Sequence, residues 1–184
     1  MEEAAGPGPL WPVAVASGIV PVAIGTDTAG SVRVPAAFCG VTGFKSSQER
    51  YDRGGVFSLS TSLDSLGAFA HSVEDLITID AMMRGMQSSP PVTLRPDDLE
   101  ILVPDTIVFD GLEPGVAEAF EAAVGRLRAA GCRIERSAFP IFQEVSDLFA
   151  RHGTLTVAEA ATRHAGLLAS DAAARMDPRV RARM

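Results

Sequence analysis

The chain has 184 residues, a formal net charge of −7, and a composition that is 47% hydrophobic and 21% charged. That balance describes a globular chain able to bury a core without staples, and it excludes wholesale disorder; the acidic charge leaves no basic footprint for nucleic acid. Cys39 and Cys132 are too few for a disulfide scaffold, no apolar run reaches the ~18 residues of a membrane helix, and Glu2 and Glu3 are wrong for a secretory signal. The expectation is a soluble, cytoplasmic chain without nucleic-acid or membrane partners, and length alone suggests a single domain.

Residues 1–12 read as a Pro/Gly-rich leader, because Pro7, Pro9 and Pro12 among Gly6 and Gly8 block helix and central strand alike. Residues 13–18 are small and apolar and suit the end of a buried helix stopped by Gly18. The apolar run 20–24 before Gly25 suits a buried strand, with Pro21 tolerable near its start. Residues 25–67 are rich in Gly, Ser and Thr, lack a sustained period, and read as site-building loops.

Order returns at Ser72, an N-cap followed by acidic Glu74 and Asp75, with Val73, Leu76, Ile77 and Met83 on one helical face and Gly85 as the stop. Residues 88–91 read as a linker, and residues 100–103 before Pro104 as a strand. Residues 114–130 form the cleanest helix: Pro114 in the first turn, Val116, Phe120, Val124 and Leu127 on one face, and Gly131 at the stop. The alternation at residues 132–136 predicts a second strand, and strand–helix–strand is a βαβ signal for an α/β fold. Beyond Phe142 the sequence is helical, Ala- and Arg-rich.

Several chemical templates fail. Phe44 separates Gly43 from Lys45 where a phosphate loop needs them adjacent. His71, His152 and His164 lack paired ligand spacing, so no metal is expected, and each reads as a surface or satisfied residue. Asp64 reads as a loop-fixing residue, and Ser58, Ser60, Thr61 and Ser62 as turn residues. One segment stands apart: Gly25-Thr26-Asp27-Thr28-Ala29-Gly30-Ser31-Val32-Arg33-Val34-Pro35. A buried strand delivers the chain into a tight loop whose small residues leave backbone N–H groups unobstructed beside the Ser31 hydroxyl. Such a loop can hold an oxyanion next to a nucleophile, with Asp27 accepting backbone hydrogen bonds and pairing with Arg33. It can equally be a polar turn with a capping serine.

The segment 25–45, ending Ala36-Ala37-Phe38-Cys39-Gly40-Val41-Thr42-Gly43-Phe44-Lys45, resembles the second half of the amidase signature. The resemblance continues through Gly54-Gly55-Val56, Ser62-Leu63-Asp64-Ser65-Leu66-Gly67 and Ser72-Val73-Glu74-Asp75. It implies a partial amidase-signature fold over residues 13–184, an α/β architecture with a mixed β-sheet covered by helices. Members are serine amidohydrolases that cleave a carboxamide C–N bond through an acyl-serine, using a Ser–cis-Ser–Lys triad. Carried over, the resemblance implies Ser31 as the catalytic nucleophile, Thr28, Ala29, Gly30 and Ser31 as the oxyanion hole, Asp27 and Arg33 as loop supports, and no cofactor.

Two departures qualify this. The family's bridging serine lies in a Gly-Ser-Ser-Gly-Gly-Ser run where this chain has Gly6-Pro7-Gly8-Pro9-Leu10-Trp11-Pro12, without a hydroxyl. The triad lysine lies far upstream in the family, and Lys45, the sole lysine, occupies a downstream, non-catalytic position. The expectation is therefore an amidase or a fragment of one, weak or inactive alone, acting on a small-molecule amide. A non-catalytic truncated remnant or binding module is one alternative, and the glutamine-hydrolysing subunit of a tRNA-dependent amidotransferase is another. The abrupt onset of resemblance at Val13 is what a shifted reading frame or misplaced start leaves. Uncovered strand edges would invite association, homo-oligomers included.

Overall fold

The computed structural model describes residues 10–87 and 92–181. They fall into two compact units, one from Met1–Pro90 and Thr154–Met184, the other Pro91–Gly153. In chain order the elements are α1 (Leu10–Ala16), β1 (Val22–Asp27), α2 (Arg33–Cys39), β2 (Thr42–Lys45), β3 (Ser65–Ala70) and α3 (Val73–Met83). The second unit holds β4 (Glu100–Pro104), α4 (Pro114–Ala129), β5 (Arg133–Ser137) and α5 (Pro140–His152); the chain then returns to the first with α6 (Leu155–Arg163), α7 (Ala165–Leu168) and α8 (Pro178–Arg181).

The first unit is built on an antiparallel sheet of order β1-β3-β2. Alternation along β3 sends Phe69 to one face and Ala68 and Ala70 to the other. Phe69 packs with Val15 of α1 and with Val32 and Ala36 at α2, while Ala68 and Ala70 pack with Leu76 of α3. Full burial of Phe69 contributes roughly 2–3 kcal/mol. Helices thus cover both faces of this sheet, and β1 and β2 are its edges.

Three expectations change here. α1 begins at Leu10, inside the stretch read as leader; Pro12 sits in the first turn, where its missing N–H costs nothing, and it is buried. Gly18, at φ 70°, ends this helix as expected. β1 lies two residues later than its apolar run, so Pro21 stays outside it and Asp27 becomes its last residue. The stretch 25–67, read as loop, contains α2, β2 and the start of β3. α2 has Val32 at its N-cap and Pro35 inside, so no local signal announces it. Gly43 and Gly67 weaken any strand pattern, yet contact requires them: a Cβ on Gly43 would stand 2.6 Å from Ala36 Cβ, and one on Gly67 would collide with the Phe44 carbonyl oxygen.

α3 forms as predicted, with Ser72 Oγ accepting the Asp75 N–H and Gly85 at φ 66° beyond its end. Val73, expected on its apolar face, is exposed. In the second unit β4 and β5 pair in parallel around α4, the βαβ unit read from the sequence. Val103, Val124 and Cys132 are its buried apolar residues, while α5 buries none. The expected linker at residues 88–91 lies outside the described residues.

Candidate functional site

β1 ends on Asp27, and the chain turns through Thr28, Ala29, Gly30 and Ser31 into α2. Asp27 is fully buried, and everything around it is arranged to hold its charge. Its carboxylate accepts the N–H groups of Gly30 (2.7 Å), Val32 (3.2 Å) and Arg33 (3.3 Å). The Arg33 guanidinium adds a bidentate pair, with Nε and Nη2 each at 3.0 Å. Burial pushes the Asp27 carboxyl up, but the Arg33 guanidinium and the three N–H donors outweigh it and hold it at about 2. The loop is therefore wound around an ionised carboxylate. Gly30 adopts φ 115°, and a Cβ there would stand 3.0 Å from Val34 Cγ2, so only glycine suits the position.

Ser31 is solvent-exposed, and its side chain makes no hydrogen bond among the described residues. The four N–H groups expected to face an oxyanion divide. Those of Thr28, Ala29 and Ser31 have no acceptor among the described residues, whereas that of Gly30 is donated to Asp27. The Gly30 N–H, which the resemblance placed among the oxyanion donors, is thus taken up by Asp27.

A second carboxylate reaches the loop from outside. Asp64, buried just before β3, accepts the Thr28 hydroxyl at 2.6 Å. It also accepts Ser58 Oγ at 2.8 Å, the Leu59 N–H at 2.9 Å and the Ser60 N–H at 3.1 Å. The loop-fixing role expected of Asp64 is what this geometry displays. Ser65, the next residue, donates its hydroxyl to the Asp27 carbonyl at 2.8 Å. Lys45 donates to the Ser46 carbonyl at 2.7 Å and lies 3.5 Å from Ser65 Oγ; it makes no hydrogen bond to Ser31.

The serines read as turn residues are held from far along the chain. Glu159 of α6 accepts Ser60 Oγ at 2.6 Å, the Ser62 N–H at 3.0 Å and the Ser62 hydroxyl. The Ser60 hydroxyl, followed by that of Ser62, holds the Glu159 carboxyl down at about 2. His164 bonds the Ser58 carbonyl through Nε2 at 2.7 Å and stacks on Phe57 at 4.6 Å, so it is a satisfied, buried histidine. Nothing local in the sequence marks Glu159, because its partners lie almost a hundred residues earlier. Among the described residues no group of three His, Cys, Asp or Glu side chains could hold a metal ion.

The fold around this loop is similar to solved structures of amidases and related enzymes. A crystal structure of an amidase aligns with a TM-score of 0.78 at 31% identity, over 94% of this chain and 38% of that one. A glutamyl-tRNA(Gln) amidotransferase subunit of Thermotoga maritima matches with a TM-score of 0.67 and 28% identity, over 83% of this chain and 36% of that one. The Amidase family model matches residues 12–184, and the chain belongs to that family. Among curated relatives, a 2-amino-5-chloromuconic acid deaminase of Comamonas testosteroni is 39% identical over 77% of this chain. The corresponding glutamyl-tRNA(Gln) amidotransferase subunit of Methylococcus capsulatus is 36% identical over 69%. The chain spans about a third of those relatives' length, 31% and 29% respectively.

Proposed function

We propose that this chain carries the nucleophile loop of an amidase-family hydrolase acting on a small-molecule carboxamide. The observation that carries the reading is the exposed Ser31 hydroxyl beside the unbonded N–H groups of Thr28, Ala29 and Ser31, on a loop fixed by the Asp27–Arg33 pair. Ser31 Oγ forms a bond to the amide carbonyl carbon as its proton passes to a base. The resulting oxyanion lies against the three N–H donors, and the C–N bond then breaks with the proton delivered to the departing amine. Water cleaves the acyl-serine ester in a second step. Thr28, Ala29 and Ser31 are the oxyanion donors in this reading; Gly30, Asp27 and Arg33 hold the loop.

In this reading residues 1–184 lack the lysine and bridging serine that the resemblance implies for activating the nucleophile, Lys45 being the sole lysine. Loss of such a unit costs about 10⁴-fold or more in turnover. The 184-residue chain by itself is therefore proposed to turn over amides weakly or not at all. Its relatives include a glutamyl-tRNA(Gln) amidotransferase subunit, which keeps glutamine among the candidate amides.

A fluorophosphonate probe followed by peptide mass spectrometry tests the assignment. The expected result is slow labelling at Ser31, abolished by Ser31→Ala, with amide hydrolysis at or near background. Labelling that persists in Ser31→Ala overturns the assignment. Silence at Ser31 favours the second reading, a non-catalytic binding module.

A further inference from the structure

We infer that Asp64 and Glu159 are positioning residues for the Ser31 loop, acting in series through the segment of residues 58–64. The inference rests on the reading of that loop as the oxyanion and nucleophile loop. Asp27 fixes the loop's internal shape, because all the partners of its carboxylate lie within six residues of it. It does not fix how the loop departs from the sheet. That departure is set at Thr28, where β1 ends. The backbone ladder between β1 and β3 stops at the Asp27–Ser65 pair. One residue further on each strand, Thr28 and Asp64 continue the pairing with a side-chain hydrogen bond of 2.6 Å. This charge-assisted bond pins the first residue of the loop, and with it the direction of the Thr28, Ala29 and Ser31 N–H groups. A displacement of about 1 Å in such donors is enough to cost catalysis heavily.

Asp64 can serve as a fixed point only if its own segment is fixed. The Leu59 and Ser60 N–H groups close around its carboxylate, and Arg53 Nη1 holds its carbonyl at 2.7 Å. Ser60 and Ser62 are in turn held by Glu159, and the Ser58 carbonyl by His164. The order of transmission is Glu159 to Ser60, Ser60 to Asp64, and Asp64 to Thr28. Glu159, Ser60 and Asp64 touch no reacting atom, so their effect is on the geometry of the Thr28 N–H and its neighbours.

Amide hydrogen exchange of the full chain, read on peptides spanning residues 26–34, tests this without depending on catalysis. The Gly30, Val32 and Arg33 amides, bonded to Asp27, report the loop. Thr28→Val and Asp64→Asn are expected to speed their exchange about tenfold, the loss of one charge-assisted bond, while Thr28→Ser restores the slow rate. Glu159→Gln, a mild change at the surface, is expected to speed the same amides by a smaller factor, about threefold. Wild-type exchange at these amides in both folded Thr28→Val and Asp64→Asn overturns the inference. So does acceleration spread evenly over α3 and the rest of the first unit, which would mark general destabilisation. Ser31→Ala should leave the pattern unchanged, so a failure of the nucleophile assignment and a failure of this relay are read separately.

Discussion

Asp27 is the fully buried charge on which the loop is built. A wholly buried carboxylate is costly unless donors surround it, and here three backbone N–H groups and a guanidinium do so. Its carboxyl is lowered from the ordinary 3.8 to about 2. A folded-state value below the unfolded one means stability that is fully present above about pH 4 and lost as pH falls through 2. The shift corresponds to about 2 kcal/mol. Urea unfolding of wild type and Asp27→Asn between pH 6 and pH 2 checks this. The gap between the two should be constant down to about pH 4 and then narrow by most of that amount, because the variant has no proton to gain at this position. Asp80 is also held at about 2, first by Arg50 and then by Tyr51, whose own hydroxyl burial and Asp80 push up to about 12. Comparison against Asp27→Asn cancels that second contribution.

At the scale of elements, the central strand β3 depends on what it lacks. Gly67 lies opposite both Gly25 and Lys45, and a methyl group there meets the Phe44 carbonyl oxygen, a backbone atom with nowhere to go. Gly67→Ala should therefore destabilise the first unit by about 2 kcal/mol or more, seen as a lowered urea midpoint with unchanged slope. Gly125, in the middle of α4 with open space around it, is the matched position where alanine should be neutral or stabilising. The same contrast explains what could be read in advance. α3, α4 and the β4–β5 pair announce themselves through neighbours in sequence: a capping serine, a first-turn proline, a terminal glycine. β2 and β3 do not, because their glycines answer to atoms on other elements. The site divides likewise. The Asp27–Arg33 brace spans six residues and is legible; Asp64 is legible as a loop-fixing residue but its partner Thr28, 36 residues away, is not, and Ser60–Glu159, 99 residues apart, leaves no local trace.

Across the whole molecule, both units present apolar side chains to solvent. Phe38 is 87% exposed on α2, and Ile141, Val145, Leu148 and Phe149 of α5 are each 40% exposed or more. β1 and β2 each have an unpaired edge among the described residues. Such surfaces stay soluble when something covers them and associate when nothing does. Lys45 gives a way to watch the molecule open. It is the sole lysine and the last residue of β2, an edge strand whose ladder hydrogen bonds go to β3 alone. A protease specific for lysine has a single peptide bond to cut, and that cut severs Asp27 and Ser31 from Asp64 and everything after it. Because a folded strand cannot enter a protease cleft, the appearance of the two fragments is a clock for detachment of β2. Digestion should run orders of magnitude slower in native buffer than in urea, and Gly67→Ala should make the clock run fast.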